Sequence, residues 1–261
     1  MCYIGFQGRF SVAVHFVSSL TWPQVRDVAS ARALAVLPVG AIEAHGPHLP
    51  LATDVLIAEA MAREGALRLS SNGFEALVLP ALPFAAAPFA AGFAGTLDVD
   101  AAAIATLVAG VARSLARHGV RVTVIANAHL DPVHVAALRN AEAQVSGTGG
   151  LLVFPDVTRR RLAERLTEEF RSGACHAGRY EGSIVLAERP EWVRTEIMRR
   201  LVPNPVSLVA ANRTARQTFE EAGGPEAYFG APAEAIAEEG RHVVQVLGEI
   251  LAEAVVEAMQ K

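Results

Sequence analysis

Residues 34–54 read LAVLPVGAIEAHGPHLPLATD, and this stretch decides both the fold and the place of the candidate site. Its first part, Leu34 to Val39, is a short apolar run that is typical of a fully buried strand. The loop that follows carries Glu43, His45 and His48. Carboxylate and imidazole side chains directly after a buried strand indicate a ligand site at the carboxyl end of a sheet.

Strands and helices alternate over the rest of the chain. The further predicted strands are Ala76–Leu82, Val120–Ala126 and Leu151–Phe154. A helix of about sixteen residues is predicted to begin near Val55, with Thr53 or Asp54 as its cap. A second predicted helix is Asp98–His118, with Asp98 as its cap. The others are a helix that begins at Pro132, Thr158–Arg171 and Ala233–Met259. The Pro-, Asn- and Gly-rich segment 202–228 is expected to loop over the surface near the site. This order predicts an α/β fold, a three-layer αβα sandwich with a largely parallel central sheet.

The whole composition limits the classes of protein. A chain of 261 residues, 52% of them hydrophobic, is expected to form one compact soluble domain over residues 19–261, with residues 1–18 as an N-terminal extension. The net charge of -4 offers no broad positive field and predicts no nucleic-acid partner. The two cysteines predict no disulfide framework, and no apolar run reaches the roughly 18 residues of a membrane span. The apolar patch Val12 to Val17 is interrupted by His15 and does not look like a signal peptide. These features together predict a cytoplasmic protein.

A second polar cluster follows the third predicted strand. His129 and Asp131 lie just past its end, so the carboxyl-edge rule places them beside the loop of Glu43 and His45. Carboxylates with imidazoles suit zinc, manganese or iron. Because residues two apart in an extended loop need not converge on one point, Glu43 and His45 are expected to serve two neighbouring ions that Asp54 bridges.

A structural role is the commoner explanation of any single buried histidine. Two histidines and three acids, all predicted at strand ends, favour metal binding when they are taken together. His15, His118, His134 and His242 lie outside this cluster and are expected to be structural.

The run Leu37 to Pro50, followed by Asp54, resembles the signature of the creatininase (creatinine amidohydrolase) family. Further matches, in the same order along the chain, are Gly95-Thr96, Asn127-Ala128-His129, His176-Ala177-Gly178 with Glu181 and Ser183, and Gly230-Ala231-Pro232. Together these matches cover about residues 20 to 250.

The resemblance implies an αβα fold, a dinuclear centre of two divalent ions and a homo-oligomer, often a hexamer. By the family pattern one ion is held by Glu43, Asp54 and His129, and the other by His45, Asp54 and Asp131. His176 matches a histidine thought to assist proton transfer there. Glu181 is placed where it could orient a ligand or contribute to the site, so His176, Asp131 and Glu181 are the candidate catalytic residues.

Departures from the family pattern bear on the substrate. Asp131 stands where creatinine hydrolases have a glutamate, which shortens the reach of the carboxylate by one methylene. Arg179 replaces an acid, which favours either an anionic substrate or a surface ion pair. His48 is expected either to hydrogen bond to Glu43 or Asp54 or to stabilise the turn. The family's tryptophans over the ligand have no counterpart before His176, so a substrate other than creatinine is predicted.

These features predict an amidohydrolase that cleaves a C–N bond of a small molecule, an amide, lactam or formamide other than a peptide, with a metal-activated water. Two alternatives stay open. One is a peptidase of a modified peptide, and the other is a catalytically silent metal-binding subunit. A P-loop or dinucleotide fold is excluded because no glycine-rich phosphate motif follows a strand.

Overall fold

A five-stranded parallel sheet forms the centre of the computed structural model, which describes residues 14–29, 32–213 and 216–260. In chain order the strands are β1 Val14–Phe16, β2 Ala33–Val39, β3 Glu75–Val78, β4 Val122–Asn127 and β5 Leu151–Val153. They lie side by side in the order β1-β3-β2-β4-β5, and each neighbouring pair is parallel. β2 is central, and each of its residues is buried because both faces of the sheet are covered.

Helices cover both faces of this sheet. The helices of the described residues are α1 Trp22–Val28, α2 Thr53–Ser71, α3 Ala101–Arg117, α4 Pro132–Val145, α5 Arg160–Ala163, α6 Glu168–Ser172, α7 Arg179–Glu188, α8 Thr195–Met198, α9 Leu208–Arg213 and α10 Ala237–Met259. On one face Leu34 and Val36 pack with residues of α2, α7 and α10. On the other face Leu37 and Val39 pack against α3 and α4. Alternate side chains of β2 thus pack into two hydrophobic cores, one on each face of the sheet. The predicted three-layer αβα sandwich is confirmed.

β1 was not predicted. The residues of the apolar patch around His15 that the structure describes form an edge strand, in which Val14 pairs with Ala76 and Phe16 with Val78. His15 Nε2 lies 2.9 Å from a carboxylate oxygen of Glu75. Three residues are too few to show a strand periodicity, and the partner strand is far away in the sequence.

Several predicted boundaries and caps were wrong. The single helix Thr158–Arg171 is two short helices, because the side chain of Thr167 accepts a hydrogen bond from the Phe170 amide and starts α6 afresh. The cap of α3 is Asp100, whose carboxylate accepts from the amides of Ala102 and Ala103, while Asp98 accepts from Ala87.

Other boundaries moved for similar local reasons. β3 ends at Val78, before Pro80, rather than at Leu82. α10 begins at Ala237, after a short 3-10 turn at Pro232–Glu234. α2 begins at Thr53, and neither Thr53 nor Asp54 caps it, since Ala52 is the residue before its first turn. Asp54 is therefore free to point into the site. Within the described ranges no helix is long and apolar enough to cross a membrane.

Candidate metal centre

Six buried polar side chains converge beyond the carboxyl ends of β2 and β4. They are Glu43, His45, Asp54, His129, His176 and Glu181. The first two follow β2, Asp54 lies in the first turn of α2, and His129 follows β4. His176 lies just before α7, and Glu181 lies in its first turn. Residues separated by more than a hundred positions are thus brought together at one edge of the sheet.

The first group of donors is Glu43, Asp54 and His129, whose ligand atoms lie within 4.8 Å of one another. His129 Nδ1 is 3.2 Å from Glu43 Oε1 and 3.0 Å from Asp54 Oδ2. The other ring nitrogen, Nε2, lies 2.8 Å from the Ala86 carbonyl, so it carries the proton and donates. In the neutral imidazole this bond leaves the Nδ1 lone pair facing the two carboxylates, as a metal ligand requires.

The second group is His45, Asp54 and Glu181. His45 Nε2 lies 3.2 Å from Asp54 Oδ1 and 3.5 Å from Glu181 Oε2. Its Nδ1 is 3.1 Å from the Glu43 carbonyl, to which it donates in the neutral form. The two oxygens of Asp54 are therefore divided, with Oδ1 toward His45 and Oδ2 toward His129, which is the arrangement of a bridging carboxylate.

The electrostatics of the cluster fit a cation. Burial lowers the pKa of His45, but the carboxylates of Asp54 and Glu181 outweigh it and raise that pKa to about 10. Burial also lowers the pKa of His129. The carboxylates of Glu43 and Asp54 outweigh this effect and raise that pKa well above its ordinary value. Burial raises the pKa of Glu181 to about 8. The buried acids thus favour positive charge on both histidines, and divalent ions could take the place of the histidine protons.

His176 sits beside this cluster as a neutral imidazole. Burial, followed by the nearby His45, lowers its pKa well below the ordinary value. Its Nε2 donates to the Ala44 carbonyl at 2.9 Å, and its Nδ1 lies 3.8 Å from Glu43 Oε1. Glu43, His45 and His176 form a third group of close donor atoms. The Nδ1 lone pair can therefore either accept a proton or bind an ion.

Asp131 is placed differently from the other predicted ligands. Its carboxylate caps α4, accepting from the Val133 amide at 2.8 Å and from the Phe89 amide at 3.4 Å. Among the described residues it belongs to none of the three donor groups. It still lines the same cavity, and burial raises its pKa despite the neighbouring His129.

His48 and Arg179, the two remaining candidates, lie at the periphery. The His48 ring is fully buried edge-on to Tyr228 and fills the space that a Cβ at Gly46 would need. Burial lowers the pKa of His48 to about 4. Its position matches the turn-stabilising alternative. The guanidinium of Arg179 contacts Glu239 and lies 3.5 Å from Glu234, so it forms ion pairs beside α10.

Sequence reasoning missed the support of His129. His134, which was expected to be structural, places Nε2 3.1 Å from Asn127 Oδ1. The Asn127 amide nitrogen in turn donates to the His129 carbonyl at 2.6 Å. This chain of hydrogen bonds fixes the backbone of a candidate ligand. Asn127 ends β4 and His134 lies in the first turn of α4, so their contact crosses the intervening loop and no sequence periodicity indicates it.

Two further residues near His176 carried no sequence signal. Glu169 accepts hydrogen bonds from the Tyr180 amide at 2.8 Å and the Ala231 amide at 2.7 Å, which ties α6 to the segment around His176. The Phe219 ring packs on the His176 ring, with centroids 4.3 Å apart. Both contacts join segments far apart in the sequence, so only the fold shows them.

The cluster opens into a cavity of about 660 Å³. Its lining includes four of the clustered side chains, Glu43, Asp54, His129 and Glu181. Phe89, Phe170, Leu208, Val209 and Phe219 are among its apolar lining residues. A cavity of this size with a few converging polar groups is typical of small-molecule sites.

A parallel α/β sheet that gathers buried carboxylates and imidazoles beyond its carboxyl ends defines the chain as an α/β protein with a hydrolase-type candidate metal centre. The model of the creatininase family, described as creatinine amidohydrolase, matches residues 18–255, and the chain belongs to this family.

Individual proteins that the chain resembles support this family membership. The chain is 34% identical to the mycofactocin precursor peptide peptidase of Mycobacterium tuberculosis over 215 residues, which are 80% of this chain and 78% of that protein. It is 31% identical to the creatinine amidohydrolase of Pseudomonas putida, over 73% of this chain and 76% of that protein. The solved structure described as creatininase Mn superposes with a TM-score of 0.71 at 26% identity, over 94% of this chain and 98% of that one. The protein is therefore a creatininase-family amidohydrolase.

Proposed function

We propose that this protein hydrolyses a C–N amide bond with a water activated by two divalent metal ions, and that zinc, manganese or iron fills the site. The division of the Asp54 oxygens between two donor groups carries this proposal. Glu43, Asp54 and His129 would hold one ion, and His45, Asp54 and Glu181 would hold the other. The solved relative described as creatininase Mn supports a metal-dependent reaction.

When bound, two such ions lower the pKa of a shared water and polarise the substrate carbonyl. The protein's own residues handle the protons. His176 is held by its hydrogen bond to the Ala44 carbonyl with the Nδ1 lone pair turned toward the site. It takes up a proton as the water attacks and returns it to the leaving nitrogen. Asp131 lines the same cavity, and burial raises its pKa, so its carboxylate is a second group that can accept a proton there.

Glu181 is the third donor that we favour for the second ion. Its Oε2 accepts from the Ala177 amide at 2.6 Å and lies 3.5 Å from His45 Nε2, whereas Asp131 joins no donor group among the described residues. The variant Glu181→Gln is expected to retain about one ion per chain, and the matched control Asp131→Asn about two. Elemental analysis of the purified proteins measures both. The opposite result, in which Asp131→Asn loses an ion and Glu181→Gln keeps both, would show that Asp131 is the ligand, as the family pattern implies.

The substrate we favour is an amide, lactam or formamide of a small molecule other than creatinine. Trp22 and Trp192 do not line the cavity, so no tryptophan covers a ligand there. A second candidate is the end of a modified peptide. The name of the Mycobacterium tuberculosis relative supports it, as does the cavity, which is large for a single small ring. A catalytically silent subunit is disfavoured because both complete donor groups are present.

A panel of substrates on the metal-loaded protein separates these candidates. Formylated pyrimidines, lactams, creatinine and short peptides are incubated with the protein, and the released amine is measured. Hydrolysis of a formamide or lactam is expected, and hydrolysis of peptides alone would establish the second candidate. Fully metal-loaded protein without activity on any amide would favour the silent subunit.

Two expectations from the sequence extend this proposal. The two cysteines, which suggest no disulfide framework, point to a cytoplasmic location. The family resemblance points to a homo-oligomer such as a hexamer. Size measurement by light scattering tests the second of these.

A further inference from the structure

Three arginines line the cavity, in a chain whose net charge is negative. They are Arg139, Arg160 and Arg171. The guanidinium of Arg139 pairs with Asp156, and that of Arg160 pairs with Glu164 at 2.8 Å. The charges of these two arginines are therefore offset within the protein.

Arg171 differs from the other two. Its Nη1 donates to the Leu166 carbonyl at 3.0 Å, which is a neutral acceptor. No carboxylate lies within ion-pair distance of it among residues 14–29, 32–213 and 216–260. A guanidinium carries five N–H donors in a planar fork that fits an oxyanion with two parallel bonds. Most of these donors remain available.

Arg171 stands where a ligand in the cavity can reach it. It belongs to α6, three residues before Ala174, on the segment that carries His176 to the site. It is exposed to solvent, and Phe170, Leu208 and Val209 line the same cavity. The cavity lining therefore combines candidate metal ligands, apolar side chains and an arginine without an ion-pair partner in the described part of the chain.

We propose that Arg171 binds an oxyanion, a carboxylate or a phosphate, carried by the substrate at a distance from the amide that is cleaved. This inference rests on the proposed function and narrows it to amides with an apolar body and an anionic group. Two divalent ions more than offset the three carboxylates of the centre, so the floor of the loaded cavity does not repel such a substrate.

The test compares matched substrates on the metal-loaded protein. One pair is a short peptide with a free terminal carboxylate and the same peptide with a terminal amide. The other is a formylated pyrimidine nucleoside with and without its phosphate. The anionic member of at least one pair is expected to be favoured about tenfold in kcat/KM, mainly through KM. The pair that shows the preference identifies the oxyanion, and added salt is expected to reduce it.

The variant Arg171→Gln attributes the preference to this residue, because the metal ions could also bind an anion. It is expected to bring the ratio within each pair to about one, while the control Arg160→Gln keeps the tenfold preference. An unchanged ratio in Arg171→Gln, or an equal loss in Arg160→Gln, would overturn the proposal.

A binding titration gives the same answer without turnover. The Kd values of the two members of each pair are measured on the metal-loaded protein and on Arg171→Gln. A tenfold difference that the variant removes supports the proposal, and equal Kd values in the unaltered protein overturn it. Failure of the proposed function would appear differently, as the absence of hydrolysis of every amide whatever its charge.

Discussion

The variant His129→Ala is expected to lose both bound metal and amidohydrolase activity. His129 Nδ1 faces Glu43 and Asp54 at 3.2 and 3.0 Å, so its removal leaves the first ion without its imidazole. Metal affinity should fall by more than the roughly 10- to 100-fold that loss of a supporting partner costs. Because Asp54 is shared, the second ion is weakened as well. Metal content after dialysis and amide turnover are measured on the same preparation.

His118→Ala is the matched control, since His118 is an exposed histidine outside the cluster. It should keep metal and activity. Retained metal and activity in His129→Ala, in a variant whose fold is unchanged by circular dichroism, would remove His129 from the centre.

The variant His176→Ala is expected to keep its metal and to lose turnover by about 10²- to 10⁴-fold, the usual contribution of a general acid-base group. His176 is a neutral imidazole whose Nε2 is engaged by the Ala44 carbonyl, so Nδ1 is the atom that transfers the proton. Metal analysis and kcat at saturating substrate are measured together.

His176→Gln separates proton transfer from packing. Its side-chain amide can still donate to the Ala44 carbonyl, and it cannot carry a proton at neutral pH. Turnover as low as that of His176→Ala is expected. If instead both variants lose an ion, His176 acts as a ligand of the third donor group rather than as a proton carrier.

The core of the fold could be predicted because β2 carries its own signal. Seven buried residues from Ala33 to Val39 form an unbroken apolar run, and the sheet rules then place Glu43 and His129 at one edge. β1 carries no such signal, because its three residues gain their strand conformation from pairing with β3. The break between α5 and α6 depends on the cap at Thr167, which helix periodicity does not show.

The candidate site divides in the same way. Glu43, His45, Asp54 and His129 were predicted from ligand type and position, and the structure brings them together. The placement of Asp131 as the cap of α4 could not be predicted, because it depends on the hydrogen bonds that its carboxylate accepts from the Val133 and Phe89 amides. The contact of Phe219 with His176 likewise arises from tertiary packing alone.

The central claim is that Asp54 bridges two ions. A crystal structure of the protein as purified, with anomalous scattering recorded at the zinc, iron and manganese edges, tests it most directly. The expected result is two anomalous peaks per chain on either side of Asp54, roughly 3.5 to 4 Å apart, one beside Glu43 and His129 and the other beside His45 and Glu181. A single peak away from Asp54, or no peak in protein that hydrolyses amides, would contradict it.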